Sequence, residues 1–375
     1  MIDQKSSKGE WAIVGGTGRF NLAQGVIYYD EMEDNGSTSL IRELHIGVVY
    51  TPVPMGRSTL SLMFGEFNPS EIDDAIERGT DIGKGGYGSV YKAEIRNSTV
   101  AVKINNYGSW QGEREFNQEV EILRRTRHEN LITLVGACSK RLALVYEYLP
   151  NGTLEDRLFL RKEQPPAAAA AAFPWEDRVR AAISICSALE FLHGAKPRPI
   201  AHGDLKPDNV LFGADDGVCK LGDFGISRLL DYTGHSATPL RITPPKGTPY
   251  YMDPEFIRTN RLTPQSDVHA LGIILLQLVT GRGPEGIRAC VQEKLLQLAG
   301  GEDDTQTTTL MIVREQLVDP RLELLDDKSR RDAVKMIRLG LRCSEDDRRD
   351  RPDLQTAVRP VLESMLLSSQ DYLLW

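Results

Sequence analysis

Two carboxylates, an amide and a lysine lie close together in the sequence, at spacings that suit phosphate chemistry. Asp204 is followed by Lys206 two residues later and by Asn209 five residues later, and Asp223 comes nineteen residues after Asp204. One carboxylate can accept or orient a hydroxyl proton, while the other carboxylate and the amide can hold Mg²⁺ or Mn²⁺. The stretch therefore predicts a site for phosphoryl transfer.

A glycine-rich stretch earlier in the chain could bind the phosphates of a nucleotide. Ile82 and Gly83 begin it, Gly85 and Gly88 continue it, and Val90 follows within a strand-like run. A dinucleotide-binding turn would lead into a helix instead. Because glycines let backbone amides approach phosphates without side-chain obstruction, the stretch predicts a glycine-rich hairpin over a nucleotide.

A lysine and a glutamate beyond this hairpin are candidates for an ion pair beside the phosphates. Lys103 ends an alternating run, and Glu119 lies in a segment in which Phe116, Val120 and Leu123 share one helical face. Paired with Glu119, Lys103 would be oriented toward the α- and β-phosphates. The alternative is that both are solvated surface residues, as most lysines and glutamates are.

Taken in order, these motifs resemble the signature set of the protein kinases, over residues of about 66–367. The resemblance implies an α+β, two-lobed kinase fold with ATP in the cleft between the lobes. The small β-rich N-lobe would span about 79–150 and the large α-helical C-lobe about 151–367. The resemblance also favours the Lys103–Glu119 pair over two solvated residues. The implied roles are phosphate positioning by Lys103 and Glu119, Mg²⁺ binding by Asn209 and Asp223, acceptance of the substrate proton by Asp204, and neutralisation of the γ-phosphate by Lys206.

The same resemblance implies an adenine pocket. A strand-like run that ends in a turn, at 142–152, fits the hinge, the link between the lobes whose backbone would bind adenine. The residues expected to line the pocket are Ile82, Val90, Ala101, Tyr146, Glu147, Tyr148 and Leu211. Two alternatives stay open, because the tyrosines can be ordinary sheet residues and Leu211 an ordinary core residue.

Several phrases narrow the resemblance to one group of kinases. Lys206 and Thr248 favour a serine/threonine acceptor over a tyrosine acceptor. Three runs are similar to the plant receptor-like kinases, and most of all to those with a U-box after the kinase; they lie at 144–154, 202–207 and 222–228. The chain ends at Trp375 without room for a U-box, so ubiquitin-ligase activity is not expected. A plant source and a role in stress or defence signalling are implied by the resemblance alone.

The residue before the catalytic aspartate bears on regulation. Kinases that need activation-loop phosphorylation mostly carry an arginine there, which pairs with the phosphate, but this chain has Gly203. We therefore predict that activity does not depend on phosphorylating the hydroxyls of the loop, which are Thr233, Ser236, Thr238 and Thr243. The alternative is that Arg228 or another basic residue replaces the missing arginine.

Three further residues are expected to support the site structurally. Glu255 is predicted to form a buried ion pair with Arg351. Asp267 begins a nearly all-apolar run, which predicts a helix central to the larger lobe. Asp267 would cap and steady the catalytic loop.

The first part of the chain has a different character. The run at 11–18 looks like a strand with a phosphate-binding turn, but Gly25 interrupts the helix that should follow, and further strand-like runs lie at 26–29 and 46–50. Residues 11–50 resemble the closing part of the dirigent family. Because the stretch is too short for a complete barrel, we interpret residues 1–65 as a dirigent-like fragment without dirigent activity.

Composition sets the remaining expectations. The net charge of −8 argues against nucleic-acid binding. No signal peptide is evident, and the longest apolar run, at 271–279, is too short to cross a bilayer. Five scattered cysteines without metal spacing are expected to be reduced thiols. We expect a cytoplasmic protein whose partners are ATP and a protein substrate, with peripheral membrane association only through partners.

Two other functions fit the sequence less well than that of a protein kinase. A pseudokinase acting as a binding scaffold is disfavoured because none of the expected catalytic or metal-binding positions is replaced. A carbohydrate- or phenol-radical-binding protein centred on the N-terminal segment would need a barrel that the chain lacks.

Overall fold

In the computed structural model the chain divides into two compact units, Met1–Met63 and Phe64–Trp375. The structure describes the backbone of residues 6–14, 24–33, 39–49, 64–85, 88–105, 110–159, 173–214, 218–233, 236–238, 240–241, 247–299, 316–322 and 327–366. Within these ranges, side chains are described at 64–83, 88–105, 112–159, 173–214, 218–230, 247–297, 316–322 and 327–366.

The first unit contains three strands that pair side by side. β1 (Ser6–Val14) pairs antiparallel with β2 (Gln24–Glu33), and β2 pairs antiparallel with β3 (Ser39–Val49). The strand-like runs noted in the sequence fall in β2 and, as far as Val49, in β3. The dirigent-like character of this segment stays a prediction.

The second unit begins with a six-stranded sheet. Its strands are β4 (Gly65–Glu66), β5 (Thr80–Gly85), β6 (Gly88–Ile95), β7 (Ser98–Asn105), β8 (Leu134–Cys138) and β9 (Ala143–Glu147). They lie in the order β4-β8-β9-β7-β6-β5, and all neighbours are antiparallel except β4 and β8. Val100 and Val102 of β7 and Leu144 of β9 are buried at its centre.

Residues 64–78, the N-terminal strap, attach to the far edge of this sheet. β4 pairs with Gly136 and Ala137 of β8, and the buried Phe67 donates its N–H to the carbonyl oxygen of Ala137 at 3.0 Å. A Cβ on Gly136 would lie 2.1 Å from the carbonyl oxygen of Gly65, so the pairing requires glycine at this position. No sequence pattern indicates β4, which has only two residues.

The strap continues into α1 (Pro69–Arg78). Pro69 occupies the first helical position, where its missing N–H costs nothing. Ile72 and Ala75 are buried. The guanidinium of Arg96, in the turn between β6 and β7, donates to Glu71 at 2.8 and 3.0 Å and lies 4.5 Å from the Phe67 ring centre. The strap is therefore fixed to the sheet by burial and by a charged contact.

The remainder of the second unit is mainly helical. Its helices, the first of which packs against the sheet, are α2 (Trp110–Leu123), α3 (Leu154–Leu158), α4 (Trp175–His193), α5 (Pro254–Thr259), α6 (Pro264–Thr280), α7 (Ile287–Ala299), α8 (Asp327–Cys343) and α9 (Arg359–Ser364). The expected two-lobed α+β architecture is confirmed. The apolar helix that Asp267 begins is α6, which is buried from Ser266 to Thr280. It packs closely against α8. A Cβ on Gly272 would lie only 2.7 Å from the carbonyl oxygen of Gly340, so glycine at this position allows the close approach.

Short strand pairs shape the loops of the helical lobe. They are β10 (Ile200–Ala201) with β13 (Arg228–Leu229), β11 (Val210–Phe212) with β12 (Cys219–Leu221), β14 (Asp231–Thr233) with β15 (Ser236–Thr238), and β16 (Leu240–Arg241) with β17 (Arg261–Leu262). The activation segment, residues 223–255, was expected to be loop-like. In the structure, β13 and β16 attach it to the rest of the lobe by backbone pairing.

A buried ion network joins three parts of the helical lobe. The guanidinium of Arg178 on α4 donates to Asp319 at 2.8 Å and to the carbonyl oxygen of Phe173 at 2.9 Å. Arg321 donates to Asp319 at 2.8 Å and to the carbonyl oxygen of Leu158 at 2.7 Å. Burial lowers the pKa of Arg178. Burial alone would raise the pKa of Asp319, but the bonds from Arg321 and Arg178 lower it to about 2.

Candidate functional site

Lys103, Glu119 and Asp223 meet where the two lobes face each other. The Nζ atom of Lys103 on β7 lies 2.9 Å from Glu119 Oε2 on α2 and 2.8 Å from Asp223 Oδ1. Burial alone would lower the pKa of Lys103, but the carboxylates of Asp223 and Glu119 raise it well above its usual range. Lys103 is therefore a fixed ammonium between two carboxylates from different lobes.

The loop that carries Asp223 is held in one conformation. Asp223 has a φ of 59°, in the left-handed region, and the following backbone N–H, of Phe224, donates to Glu119 Oε1 at 3.1 Å. The Phe224 ring is fully buried, and its centre lies 5.0 Å from that of His202 in an edge-on contact. Burial alone would raise the pKa of the Asp223 carboxyl, but the Lys103 ammonium lowers it. Asp223 is therefore a carboxylate.

The Asp204 carboxylate has partners on both of its oxygens. Its Oδ1 accepts bonds from the Thr248 N–H and hydroxyl, each at 3.0 Å, and its Oδ2 lies 3.0 Å from Lys206 Nζ. Lys206 also donates to the Thr248 hydroxyl at 3.0 Å. Asp204 is buried, so these bonds define its orientation.

Asn209 links Asp204 to the loop of Asp223. The side-chain Nδ2 of Asn209 donates to the backbone carbonyl oxygen of Asp204 at 2.8 Å. The backbone carbonyl oxygen of Asn209 accepts the Gly222 N–H, also at 2.8 Å. Because the amide nitrogen donates to protein, the amide oxygen is the atom able to ligate a cation. A carboxylate and an amide oxygen are hard ligands of the type that Mg²⁺ prefers.

Asp267 and His202 hold the loop that contains Asp204 in place. Asp267 is buried and accepts the N–H groups of His202 and Gly203, both at 2.9 Å, and lies 2.8 Å from His193 Nε2. This supporting role agrees with the sequence interpretation of Asp267. His202 Nε2 lies 3.0 Å from the Gly222 carbonyl oxygen, and its Nδ1 lies 3.3 Å from the Asp204 nitrogen. These contacts suit a neutral ring with its proton on Nε2.

Sequence reasoning assigned no role to His202 or His193. The position of His202 did indicate a role, because this residue begins the motif that contains Asp204. Its function as a link between the two acidic loops depends on Gly222, twenty residues away. Spacing alone does not reveal that contact.

The adenine-pocket candidates lie on the sheet and on β11. The register of the sheet places Val90 opposite Lys103 and Ala101 opposite Tyr146. Tyr146 is buried, whereas Val90, Ala101 and Leu211 are half-buried and Ile82 is 46% exposed. Burial, followed by the charge of Glu119, raises the pKa of Tyr146 well above its ordinary value. Val90, Ala101 and Leu211 therefore expose part of their apolar surface, whereas Tyr146 does not.

The hinge candidates follow directly. Glu147 ends β9, and its carboxylate accepts the Thr133 N–H at 2.8 Å and the Lys220 ammonium at 2.7 Å. Lys92 lies 4.7 Å from the Tyr148 ring centre. The side chains of Glu147 and Tyr148 are thus both engaged with neighbouring residues.

The glycine-rich hairpin is formed by β5 and β6, with Gly85 opposite Gly88. Gly88 has a φ of 146°, and a Cβ there would lie 1.9 Å from the Ile104 carbonyl oxygen. Only glycine satisfies both conditions. The side chains of residues 84–87 lie outside the described part of the chain.

Gly203 and Arg228 bear on the regulation hypothesis. Gly203 has a φ of 82°, and a Cβ there would lie 3.1 Å from Leu262 Cδ2. Arg228 is buried, and its Nη1 donates to Gln118 Oε1 on α2 at 2.9 Å and to the Ser227 carbonyl oxygen at 2.7 Å. Burial lowers the pKa of Arg228 to about 10. The hydroxyls of Thr233, Ser236, Thr238 and Thr243 lie outside the described side chains.

The predicted ion pair between Glu255 and Arg351 is wrong. Arg351 Nη2 instead lies 2.7 Å from Asp253 Oδ1, and both side chains are fully buried. Glu255 pairs with Arg348 at 2.9 Å, and Arg348 also reaches Asp253 at 3.0 Å. The physical reason is burial: Asp253 caps α5 inside the protein, whereas Glu255 lies at its surface. Burial alone would raise the pKa of Asp253, but the bond from Arg351 lowers it.

This pairing leads to a stability prediction. Arg351→Met should destabilise the protein by about 3–5 kcal/mol, because it leaves the Asp253 carboxylate buried without its main partner. Glu255→Gln is the matched control and should cost about 1 kcal/mol or less, since that pair is partly exposed. Urea denaturation of both variants measures the difference. A larger loss for Glu255→Gln would contradict the assignment.

The cysteines and helices do not suggest another site. Among the described residues, all five thiols are free and no group of three or more His, Cys, Asp or Glu side chains could hold a metal. Burial raises the pKa of Cys219 and of Cys343 to about 12, so neither is a thiolate at neutral pH. In the part of the chain that the structure describes, none of the helices has the length and apolar character needed to cross a membrane.

Comparison with known proteins identifies related chains. The family described as "Protein kinase domain" matches residues 76–359. U-box domain-containing protein 70 of Oryza sativa subsp. japonica is 44% identical over 310 residues, which are 82% of this chain and 36% of that protein. U-box domain-containing protein 51 of Arabidopsis thaliana is 41% identical over 308 residues, which are 80% of this chain and 36% of that protein. U-box domain-containing protein 33 of the same plant is 43% identical over 317 residues, which are 83% of this chain and 35% of that protein. The chain spans only about a third of the length of these relatives.

Proposed function

Because the chain belongs to the protein kinase family, we propose that it is a serine/threonine protein kinase that uses ATP and Mg²⁺. The observation that carries this proposal is the contact of Lys103 with Glu119 and Asp223, at 2.9 and 2.8 Å. It supports catalysis because phosphoryl transfer in kinases requires this lysine–glutamate pair and a metal-binding aspartate to be in place together.

The residues present fit a nucleotide with its metal. Asp223 and the amide oxygen of Asn209 would hold Mg²⁺, and Lys103 would contact the phosphates. When bound, the metal would supply charge neutralisation on the β- and γ-phosphates. The backbone of the glycine hairpin would cover the phosphates, and the half-buried Val90, Ala101 and Leu211 would contact adenine.

Asp204 would act on the acceptor hydroxyl. As the hydroxyl oxygen bonds to the γ-phosphorus, the bond from that phosphorus to the leaving ADP oxygen breaks, and the hydroxyl proton passes to Asp204. The buried position of Asp204 and its bonds to Thr248 hold the carboxylate still. Lys206, 3.0 Å from Asp204, would neutralise the γ-phosphate.

The acceptor specificity is proposed from two residues. Lys206 and the Thr248 hydroxyl are 3.0 Å apart and both contact Asp204. This restricts the space beside the carboxylate, which supports a short aliphatic hydroxyl over the longer tyrosine side chain. A role in plant stress or defence signalling is also proposed, and it rests only on the plant sources of the relatives.

The experiment that tests the proposal is a phosphorylation assay. The full chain is incubated with radiolabelled ATP, Mg²⁺ and casein, and the products are separated into phosphoserine, phosphothreonine and phosphotyrosine. We expect label on serine and threonine, and none when EDTA removes the metal. Nucleotide binding without label transfer would support the scaffold alternative, and label on tyrosine would contradict the proposed specificity.

The proposed kinase should be active without phosphate on its activation segment. Two strand pairs and an apolar cluster anchor this segment; the cluster consists of Ala201, Leu230, Phe256 and Leu262. Arg228 is already engaged with Gln118 on α2. Anchoring by pairing and burial supports order that does not need a phosphate–arginine contact.

The test replaces all four hydroxyl residues together, as Thr233→Ala, Ser236→Ala, Thr238→Ala and Thr243→Ala. The initial rate should stay within about twofold of the unmutated protein, since the proposed mechanism gives these four hydroxyls no role in the transition state. Phosphatase-treated unmutated protein is assayed beside it. If both lose activity, and phosphorylation restores only the unmutated protein, then the segment is phosphate-dependent after all.

A further inference from the structure

The hinge residue Glu147 makes side-chain contacts that binding adenine through the backbone does not require. Its Oε1 accepts the Thr133 N–H at 2.8 Å and the Lys220 ammonium at 2.7 Å. Its own N–H donates to the Thr133 carbonyl oxygen at 3.1 Å. The side chains of Lys220 and Glu147 are 22% and 27% exposed, so the pair lies at the edge of the protein interior.

Lys220 lies at a central position in the other lobe. It is in β12, where the register places it opposite Leu211, the candidate floor of the adenine pocket. It also precedes Asp223, the candidate metal ligand, by three residues. A force on Lys220 therefore acts on the strand that pairs with the pocket floor and leads into the candidate metal-binding loop.

Backbone bonds along the edge of β12 that faces away from β11 fix the orientation of this strand, and so the direction of the Lys220 side chain. Leu221 donates to the Asn130 carbonyl oxygen at 2.8 Å and accepts the Ile132 N–H at 3.0 Å. Cys219 and Leu221 are buried, while Lys220 between them is half-buried. Alternate residues of a strand point to opposite faces. The side chains of Cys219 and Leu221 therefore pack into the core, and the side chain of Lys220 points to the opposite face, toward the hinge.

We propose that the Lys220–Glu147 pair is a positioning device for the nucleotide. It fixes the hinge backbone at Glu147 and Tyr148 at a set distance from the pocket floor at Leu211, and so it tunes ATP affinity without acting in phosphoryl transfer. This inference rests on the proposed function. A partly exposed ion pair contributes little to global stability, whereas a small displacement of a binding group has a large effect on binding and rate.

The test uses four variants of the full chain. Glu147→Gln keeps an acceptor for the Thr133 N–H but removes the charge, and Lys220→Met keeps the length of the side chain. The double variant removes both charges, and Lys220→Arg restores the cation. Measurements are KM for ATP, kcat, KM for casein, and the Kd of a non-hydrolysable ATP analogue with Mg²⁺.

Each charge-removing single variant should raise KM for ATP and the analogue Kd by about threefold to tenfold, with kcat and KM for casein within about twofold of the unmutated values. The double variant should be no weaker than the singles, because all three lose the same interaction. Lys220→Arg should recover most of the affinity. Glu345→Gln is the matched control, since it removes a pair with Arg288 at 2.7 Å and similar exposure; it should leave KM for ATP unchanged.

Three results would overturn the inference: equal nucleotide affinity in all variants, a fall in kcat with KM for ATP unchanged, or a lower thermal midpoint with unchanged affinity. The last would show a purely structural pair. If the unmutated protein binds no nucleotide, then the proposed function itself fails. That result is distinct from tight binding that the variants do not alter.

Discussion

Replacing Asp223 with asparagine is expected to remove most of the Mg²⁺-dependent phosphorylation of casein. The substitution takes a charged ligand from the proposed metal site and one carboxylate from Lys103, which lies 2.8 Å away. Asp204→Asn should reduce kcat similarly but spare nucleotide binding, because Asp204 contacts Lys206 and Thr248 and not the Lys103 cluster. For each variant we expect a loss of about 3 kcal/mol or more of transition-state stabilisation, roughly a hundredfold in rate.

Nucleotide affinity separates the roles of these two aspartates. The Kd of an ATP analogue with Mg²⁺ should rise for Asp223→Asn and stay unchanged for Asp204→Asn. Asp177→Asn, on the partly exposed surface of α4, controls for loss of a carboxylate elsewhere. Unmutated rates in both active-site variants would show that the site has been assigned wrongly.

The second large effect is expected from removal of the N-terminal strap. The family match begins at residue 76, so a truncation at that boundary would discard β4 and most of α1. It would expose the sites that Phe67 and Ile72 fill, and losing a buried side chain of this size costs about 2–5 kcal/mol each. We expect the truncated protein to melt well below the full chain, by roughly 10 °C or more.

Deletion of residues 1–63 is the matched comparison, because it ends where the second compact unit begins. It should leave the melting temperature and the phosphorylation rate nearly unchanged. The single substitution Phe67→Ala should reproduce part of the strap effect, whereas Asp74→Ala, exposed on α1, should not. A large loss of stability on removing 1–63 would mean that the first unit contributes to the fold of the second.

Residues whose roles depend on local spacing could be predicted from the sequence. The proposed catalytic aspartate, its lysine and the metal-ligand candidates occupy two short motifs, and their residue types alone suggest their chemistry. The Lys103–Glu119 contact could also be anticipated, because a strand and an amphipathic helix carry the two residues. The overall α+β architecture followed from the same order of elements.

Contacts that depend on which side of an element faces the interior could not be predicted. Two acids, Asp253 and Glu255, lie two residues apart at the start of α5, and three arginines lie at 348, 349 and 351, before α9, so six pairings were compatible with the sequence. Burial of Asp253 and Arg351 selects one of them. The strand β4 was missed for a related reason, since two residues are too few for a periodic pattern and the pairing depends on a glycine seventy-one residues away.

The Arg178 network has a consequence for how the helical lobe is held together. The guanidinium of Arg178 binds the carbonyl oxygen of Phe173, and Arg321 binds that of Leu158, so both positions are tied to one carboxylate, Asp319. Leu158 ends α3, and Phe173 lies two residues before the start of α4. The spacing between these two helix ends is therefore fixed through a single buried side chain, and loss of the Asp319 carboxylate would release both of them together.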